Sequence, residues 1–153
     1  MRRQPDEDAG FLNVDLDVYS RSSLEPLVTA LKGKTLLLYT GRKGRRHRAH
    51  LELRTLPKNA DEAIRGLAAP IRSLPPAARE LWDRATTRNF NVGIQSAANR
   101  QTCEVPLSDA TIKRVSELGG RILVTVYGAR LADANVQVTQ LSENPRRAQG
   151  RKS

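Results

Sequence analysis

The chain has 153 residues, of which 39% are hydrophobic and 27% are charged, the composition of a globular protein. Its formal net charge at pH 7 is +10, and only 4% of its residues are aromatic, so aliphatic side chains must build the core. A single cysteine excludes an internal disulfide, and no apolar run approaches the roughly 18 residues that span a bilayer. The N-terminus lacks the apolar stretch of a secretion signal, which predicts a cytoplasmic protein without a membrane partner.

The first element is a strand. Residues 11–19 alternate apolar with polar side chains, the period of a half-buried strand. The predicted buried face consists of Leu12, Val14, Leu16 and Val18. The opposite face carries Asn13, Asp15 and Asp17, and paired carboxylates can serve hydrolysis. The same pattern is typical of a solvent-facing sheet surface, or of carboxylates paired across strands with Arg48 or Arg54.

A helix and a β-hairpin follow. The helix is predicted to start after Ser22, at a capping-box spacing, and to end near Gly33. Residues 35–40 predict a buried strand, and residues 48–54 alternate as its partner across a glycine-containing turn at 41–44.

The second half of the chain predicts two helices, two strands, a helix and a last strand. In chain order these are a helix capped by Asn59 that Pro70 kinks or ends, a helix opening at Pro75 and Pro76, strand 90–94, a short strand 103–107 interrupted by Pro106, a helix capped by Ser108, and strand 121–127.

The element order β-α-β-β-α-α-β-β-α-β predicts a two-layer α+β domain. We expect a mostly antiparallel sheet of about six strands with the helices on one face. The domain is predicted to span residues 11–128, after a flexible segment over residues 1–10. Residues 129–153 form a basic tail that is predicted to be disordered after residue 142.

Three stretches together resemble a known family. They are Phe11 to Val18, Asn89 to Gln95, and the run from Leu107-Ser108-Asp109-Ala110-Thr111-Ile112 through Leu118-Gly119-Gly120-Arg121-Ile122 to Val126-Tyr127. In these features the chain is similar to a family of small bacterial proteins known only as a domain of unknown function. The resemblance implies a bacterial source and a small binder of the kind that includes immunity proteins, and it brings no catalytic residues.

The excess positive charge is concentrated in two segments. Residues 32–54 hold eight basic residues against Glu52 alone, and residues 142–153 hold four against Glu143. The basic residues predicted to bind a partner from the hairpin are Arg42, Lys43, Arg45, Arg46 and Arg48. Those predicted to bind from the tail are Arg146, Arg147, Arg151 and Lys152.

The basic hairpin leaves three interpretations open. It could straddle a nucleic-acid backbone without reading sequence, dock an acidic protein, or be a solvated loop tip. No interleaved aromatic residues or known nucleic-acid motif favours the first. His47 and His50 are three residues apart on a strand and should therefore point to opposite faces, which disfavours a metal site. Cys103 is expected to be a small buried hydrophobe.

No nucleophile elbow, phosphate-binding loop or metal motif is present in the sequence. We therefore expect a non-enzymatic protein without a cofactor, whose partner is an acidic protein of the immunity or accessory type. Nonspecific nucleic-acid binding is the alternative, and a hydrolase using Asp15 and Asp17 is the third possibility.

Overall fold

A computed structural model describes residues 10–97 and 102–128. The strands are β1 Gly10–Ser20, β2 Thr35–Lys43, β3 Arg46–Leu53, β4 Thr87–Gln95 and β5 Arg121–Tyr127. The helices are α1 Glu25–Leu31, α2 Ala60–Arg72, α3 Pro76–Arg84 and α4 Asp109–Glu117. The predicted α+β class is confirmed.

The five strands form one mixed sheet in the order β2-β3-β1-β4-β5. The pairs β2–β3, β3–β1 and β1–β4 are antiparallel, and β4–β5 is parallel. The strands β1 and β2 therefore run parallel with β3 between them, which is the split β-α-β arrangement. The helix α4 and the strand β5 extend this unit beyond β4. The sheet consequently has two edges, β2 and β5.

The core lies between one face of the sheet and the helices. Leu16 is at its centre, fully buried, and is paired with Leu51 of β3 and Phe90 of β4. The helix α2 contacts both β1 and β3, and its buried stripe includes Ile64 and Leu67. The opposite face of the sheet bears mostly polar side chains, and we call it the open face.

Two predicted helix caps are confirmed. The Asn59 side chain accepts a hydrogen bond from the backbone N–H of Glu62 at 2.8 Å, which satisfies a donor that the first turn of α2 leaves free. The Ser108 hydroxyl accepts one from Thr111 in the same way at 3.2 Å. Pro70 lies inside α2, and the helix ends two residues after it, at Arg72.

One predicted core residue is wrong. Leu12 is 50% exposed, because the pairing of β1 with β4 shifts between Phe11 and Asn13. Such a β-bulge inserts one extra residue and so breaks the alternation of faces. Phe11 therefore packs against the core, with Val14, Leu16 and Val18 as predicted beyond the bulge.

The sheet has five strands in the described residues, not about six, because residues 102–108 contain no strand. Pro106 has no N–H to give to a ladder. Val105 and Leu107 still pack against the core from this irregular segment. The segment is tied down where the Asp61 carboxylate accepts hydrogen bonds from the backbone N–H and the hydroxyl of Ser108, at 2.8 and 3.0 Å.

Cys103, in the same segment, is exposed and not buried as predicted. The predicted flexible segment through residue 9 and the predicted tail from residue 129 lie outside the described residues. None of the described helices is long and apolar enough to cross a membrane.

Candidate functional site

The basic hairpin forms as predicted, but its turn is tighter than the 41–44 turn expected. The strands β2 and β3 pair as far as Lys43 with Arg46, so only Gly44 and Arg45 make the turn. Gly44 has a φ of +60°, a conformation that glycine adopts at little cost. The Arg42 Nε donates to the Gly44 carbonyl at 2.9 Å, which braces the turn.

Four of the five predicted hairpin residues cluster at this turn. Arg42, Lys43, Arg45 and Arg46 are all exposed, and we call them the basic tip. Within residues 10–97 and 102–128, no acidic side chain forms an ion pair with any of them. Their charges are therefore not neutralised by the described part of the domain and can act on a partner.

Arg48, the fifth predicted hairpin residue, lies on β3 away from the basic tip. It lies on the open face, where its guanidinium carbon is 4.8 Å from the centroid of the Tyr19 ring. This is the geometry of a cation–π contact. Tyr19 and Arg48 are direct partners in the β1–β3 ladder, which is why the contact forms. Arg48 thus supports the sheet surface.

The charge of residues 32–54 is divided between the two ends of the hairpin. Lys32, Lys34 and Arg54 lie at the end away from the basic tip, where Arg54 Nη2 donates to the Lys32 carbonyl at 3.1 Å. The nine residues of β2 separate the two groups by about 30 Å. Of these two groups, the basic tip is the larger, with four basic residues.

The strand β2 is an apolar and exposed edge, a position that was not predicted from the sequence. Residues 35–40 were expected to be buried, yet of these only Thr35 is. The exposed fractions are 37% for Leu36, 43% for Leu37, 49% for Leu38 and 50% for Tyr39. A bulge between Leu37 and Tyr39 falls in this run. Apolar composition indicated a strand, but it could not tell an edge from a central position.

A groove borders this edge on the helix side of the sheet. It has a volume of about 300 Å³. Its lining residues are Ser23, Leu24, Glu25, Val28, Leu37, Thr40 and His47. The groove lies between α1 and β2, and Leu37 of the exposed edge forms part of its lining. His47 contributes to its wall, whereas His50 lies on the open face, and the predicted divergence of the two histidines is confirmed.

The open face carries a hydrogen-bonded chain that crosses four strands. Asp17 of β1 contacts Nδ1 of His50 on β3 at 2.5 Å and accepts from the Asn91 amide of β4 at 3.3 Å. The Thr125 hydroxyl of β5 donates to the Asn91 side-chain oxygen at 2.7 Å. The rings of Tyr19 and Tyr39 flank His50. These hydrogen bonds explain how Asp17 can be 94% buried on a polar surface.

Asp15 lies beside this chain and accepts a hydrogen bond from the Asn13 amide at 3.0 Å. Burial raises the pKa of the Asp15 carboxyl above its ordinary value, the carboxylates of Asp17 and Glu52 raise it further, and His50 acts in the opposite direction. Asp15 and Asp17 do not pair with Arg48 or Arg54, which was the alternative expectation, because His50 is the ladder partner of Asp17 and Glu52 that of Asp15. Among the described residues, no three His, Cys, Asp or Glu side chains are grouped so that they could hold a metal ion.

The predicted tail residues Arg146, Arg147, Arg151 and Lys152 lie outside the described residues. The structure therefore brings together one predicted group, the basic tip, and adds to it the exposed edge of β2. Comparisons with protein-family models, with curated proteins and with solved structures found no match.

Proposed function

We propose that this is a non-enzymatic binding protein whose partner is an acidic protein. The partner offers an extended segment that adds as a strand to the outer edge of β2. The observation that carries this proposal is that the exposed apolar side chains at Leu36 to Tyr39 lie on the strand that leads into the basic tip.

Strand addition uses groups that an edge strand has free. No described strand pairs with the outer side of β2, so its outward backbone N–H and C=O groups are available to a partner. In this mode of recognition, main-chain hydrogen bonds provide affinity and side-chain pockets provide specificity. The groove beside Leu37 and Thr40 suits the partner side chains that face the helix layer.

Charge supplies the orientation. Acidic residues at one end of the partner segment would meet the basic tip, which raises the association rate and fixes the register. The resemblance to small immunity-type binders supports the same class of function. A single cysteine and the resemblance to bacterial proteins support the cytoplasm of a bacterium as the location.

Nonspecific nucleic-acid binding is the second candidate. One observation favours it: Tyr39, half exposed, lies on the open-face side of the strand that leads to the basic tip and could stack on a base. The leucines at 36–38 argue for the protein partner, because they offer nothing to a phosphate.

The hydrolase interpretation has less support. Asp17 already accepts from Asn91 and contacts His50, so its oxygens are engaged within the sheet. A carboxylate that attacks or activates water needs an oxygen free to face a substrate.

The test uses a fluorescein-labelled peptide that alternates valine and glutamate, and a matched peptide with N-methyl groups on alternate residues. N-methylation keeps the side chains and charges but removes the backbone donors on one edge. We expect binding of the first peptide by fluorescence anisotropy and about tenfold weaker binding of the second, as the loss of one or two net hydrogen bonds implies.

Two variants separate the contributions. Leu37→Ser should weaken binding of the unmodified peptide, and Leu123→Ser, a matched change on the opposite edge strand, should not. Equal affinity for the two peptides would show that backbone hydrogen bonds do not contribute to binding, and would overturn strand addition. Tighter binding of a DNA duplex than of the peptide would favour the second candidate.

A further inference from the structure

The second edge of the sheet, β5, is as exposed as β2 but has a different charge pattern. The exposed fractions are 42% for Leu123, 54% for Val124, 61% for Val126 and 48% for Tyr127. Arg121, at its first position, is the only charged residue in this strand. Edge strands usually carry charges or prolines that prevent edge-to-edge pairing, and β5 has none of these in its central part.

The helix layer leaves part of β5 uncovered. Val124 and Val126 are partners of Val92 and Ile94 in the parallel ladder, which places them on the helix side of the sheet. They are exposed all the same, whereas Ile122 packs against the core. In the described part of the chain, no strand lies outside β5. An apolar surface is therefore presented on the helix side and along the edge together.

We propose that β5 pairs with β5 of a second copy of this chain, antiparallel about a two-fold axis at Val124. This inference is independent of the partner proposed for β2. In this register the two copies of Val124 face each other, and Ile122 faces the partner copy's Val126. All of these contacts lie on the helix side, where they cover the side chains that α4 leaves exposed.

The open-face side of the same register is also complementary. Arg121 of one copy stands opposite Tyr127 of the other, a pair that can form a cation–π contact at each end of the interface. Leu123 stands opposite Thr125. No like charges meet anywhere along the seven residues, which extend over about 23 Å.

Self-pairing through β2 would not share this complementarity. Lys34 precedes β2, and Arg42 and Lys43 end it. In an antiparallel pair of β2 strands, the basic residues at one end of each strand would therefore lie near those at the other end of its partner and repel them. The chain thus protects one edge against its own copies and leaves the other self-complementary. A β5 dimer closes by two-fold symmetry and leaves both β2 edges at the outer ends of one continuous sheet.

The full chain tests this by sedimentation equilibrium across the micromolar range. We expect wild type to populate a dimer, and Val124→Glu and Val124→Lys each to be monomeric, since like charges would meet at the axis. An equimolar mixture of the two variants should regain the dimer, because the charges are then opposite. Leu38→Glu and Leu38→Lys make the same changes on β2 and should leave the dimer intact.

A second variant tests the same interface without placing a charge at position 124, in case such a charge disturbs folding. In a Cys103→Ser background, Val124→Cys keeps an apolar side chain and places two thiols directly opposite each other, within reach of a disulfide. Mild oxidation should produce a covalent dimer, and Leu38→Cys in the same background should not.

Three results would overturn the proposal. The first is a wild type that stays monomeric at all concentrations, as it would if residues 129–153 of the same chain occupied this edge. The second is a dimer that survives both charges at 124, which would place the interface elsewhere. The third is a mixture of the two charged variants, each folded by circular dichroism, that remains monomeric.

Discussion

Asp17 and His50 contact each other side by side on the open face, although 33 residues separate them in the chain. The contact exists because β1 and β3 are neighbours in the sheet and these two residues are direct partners in their ladder. The side-chain amide of Asn91, from the strand on the other side of β1, donates a hydrogen bond to the second carboxylate oxygen of Asp17. The Asp17 carboxylate thus joins three strands on the face of the sheet opposite the described helices.

Removing this carboxylate should destabilise the domain. Asp17→Ala leaves His50 and Asn91 without their shared acceptor, at a cost of about 1–3 kcal/mol in the free energy of unfolding. Asp17→Asn keeps an acceptor oxygen and the shape of the side chain, so it should lose clearly less. Urea unfolding of the three proteins measures both values. Equal losses would show that the hydrogen-bond chain contributes little.

Asp15 should make the folded state less stable as the pH rises, whereas a salt-bridged carboxylate makes it more stable. Its raised pKa means that the folded state holds the proton more tightly than the unfolded state, in which the carboxyl has its ordinary pKa of 3.8. The contribution of Asp15 is therefore fully present below that pH and is lost as the pH rises through the folded-state value. Asp15→Asn should match wild type at low pH and exceed its stability at neutral pH. A variant less stable than wild type at neutral pH would contradict the direction of the shift.

The buried face of β1 should dominate its energetics. Leu16 is fully buried between Leu51 and Phe90, so Leu16→Ala should cost about 2–5 kcal/mol, as truncations of buried leucines do. Asp15→Ala, on the other face of the same strand, should cost much less. Urea titration compares the two directly. Similar small losses would mean that the register of β1 is wrong.

The basic tip should distinguish a protein partner from a nucleic acid. Replacing Arg42, Lys43, Arg45 and Arg46 together with serine should weaken binding of the valine–glutamate peptide without abolishing it, because charge contributes rate and register while main-chain hydrogen bonds remain. The fold should persist because the tip buries little. Binding of wild type to a labelled DNA duplex at physiological salt should be no tighter than roughly 10⁻⁴ M, the weak end of nonspecific affinity. A log-log salt slope of about −0.9 per phosphate contact that flattens in the variant would support the nucleic-acid candidate instead.

Local patterns in the sequence predicted most of the elements. The alternation in residues 11–19, the cap residues Asn59 and Ser108, and the hairpin around Gly44 each follow from chemistry within a few residues. Leu12 departs from its pattern because a bulge depends on the neighbouring strand. The strand predicted at 103–107 is absent because its apolar residues pack against the core without a ladder.

The site was predictable only in part, for a related reason. The charges of the basic tip fall within residues 42–46, so their clustering follows from the sequence alone. The exposure of Leu36 to Leu38 depends on β2 lying at the edge of the sheet, and the contact of Asp17 with His50 depends on which strands are neighbours. Strand order is set by long-range packing, which no short stretch of the chain encodes.

Hydrogen exchange at the backbone amides of β2 tests the central claim most directly. If an acidic segment adds as a strand, the valine–glutamate peptide should slow exchange at amides along residues 36–39, and its N-methylated counterpart should have a much smaller effect. Amides of β5 should be unchanged by either peptide. Protection confined to residues 42–46, or equal protection by both peptides, would contradict strand addition and leave only charge attraction at the basic tip.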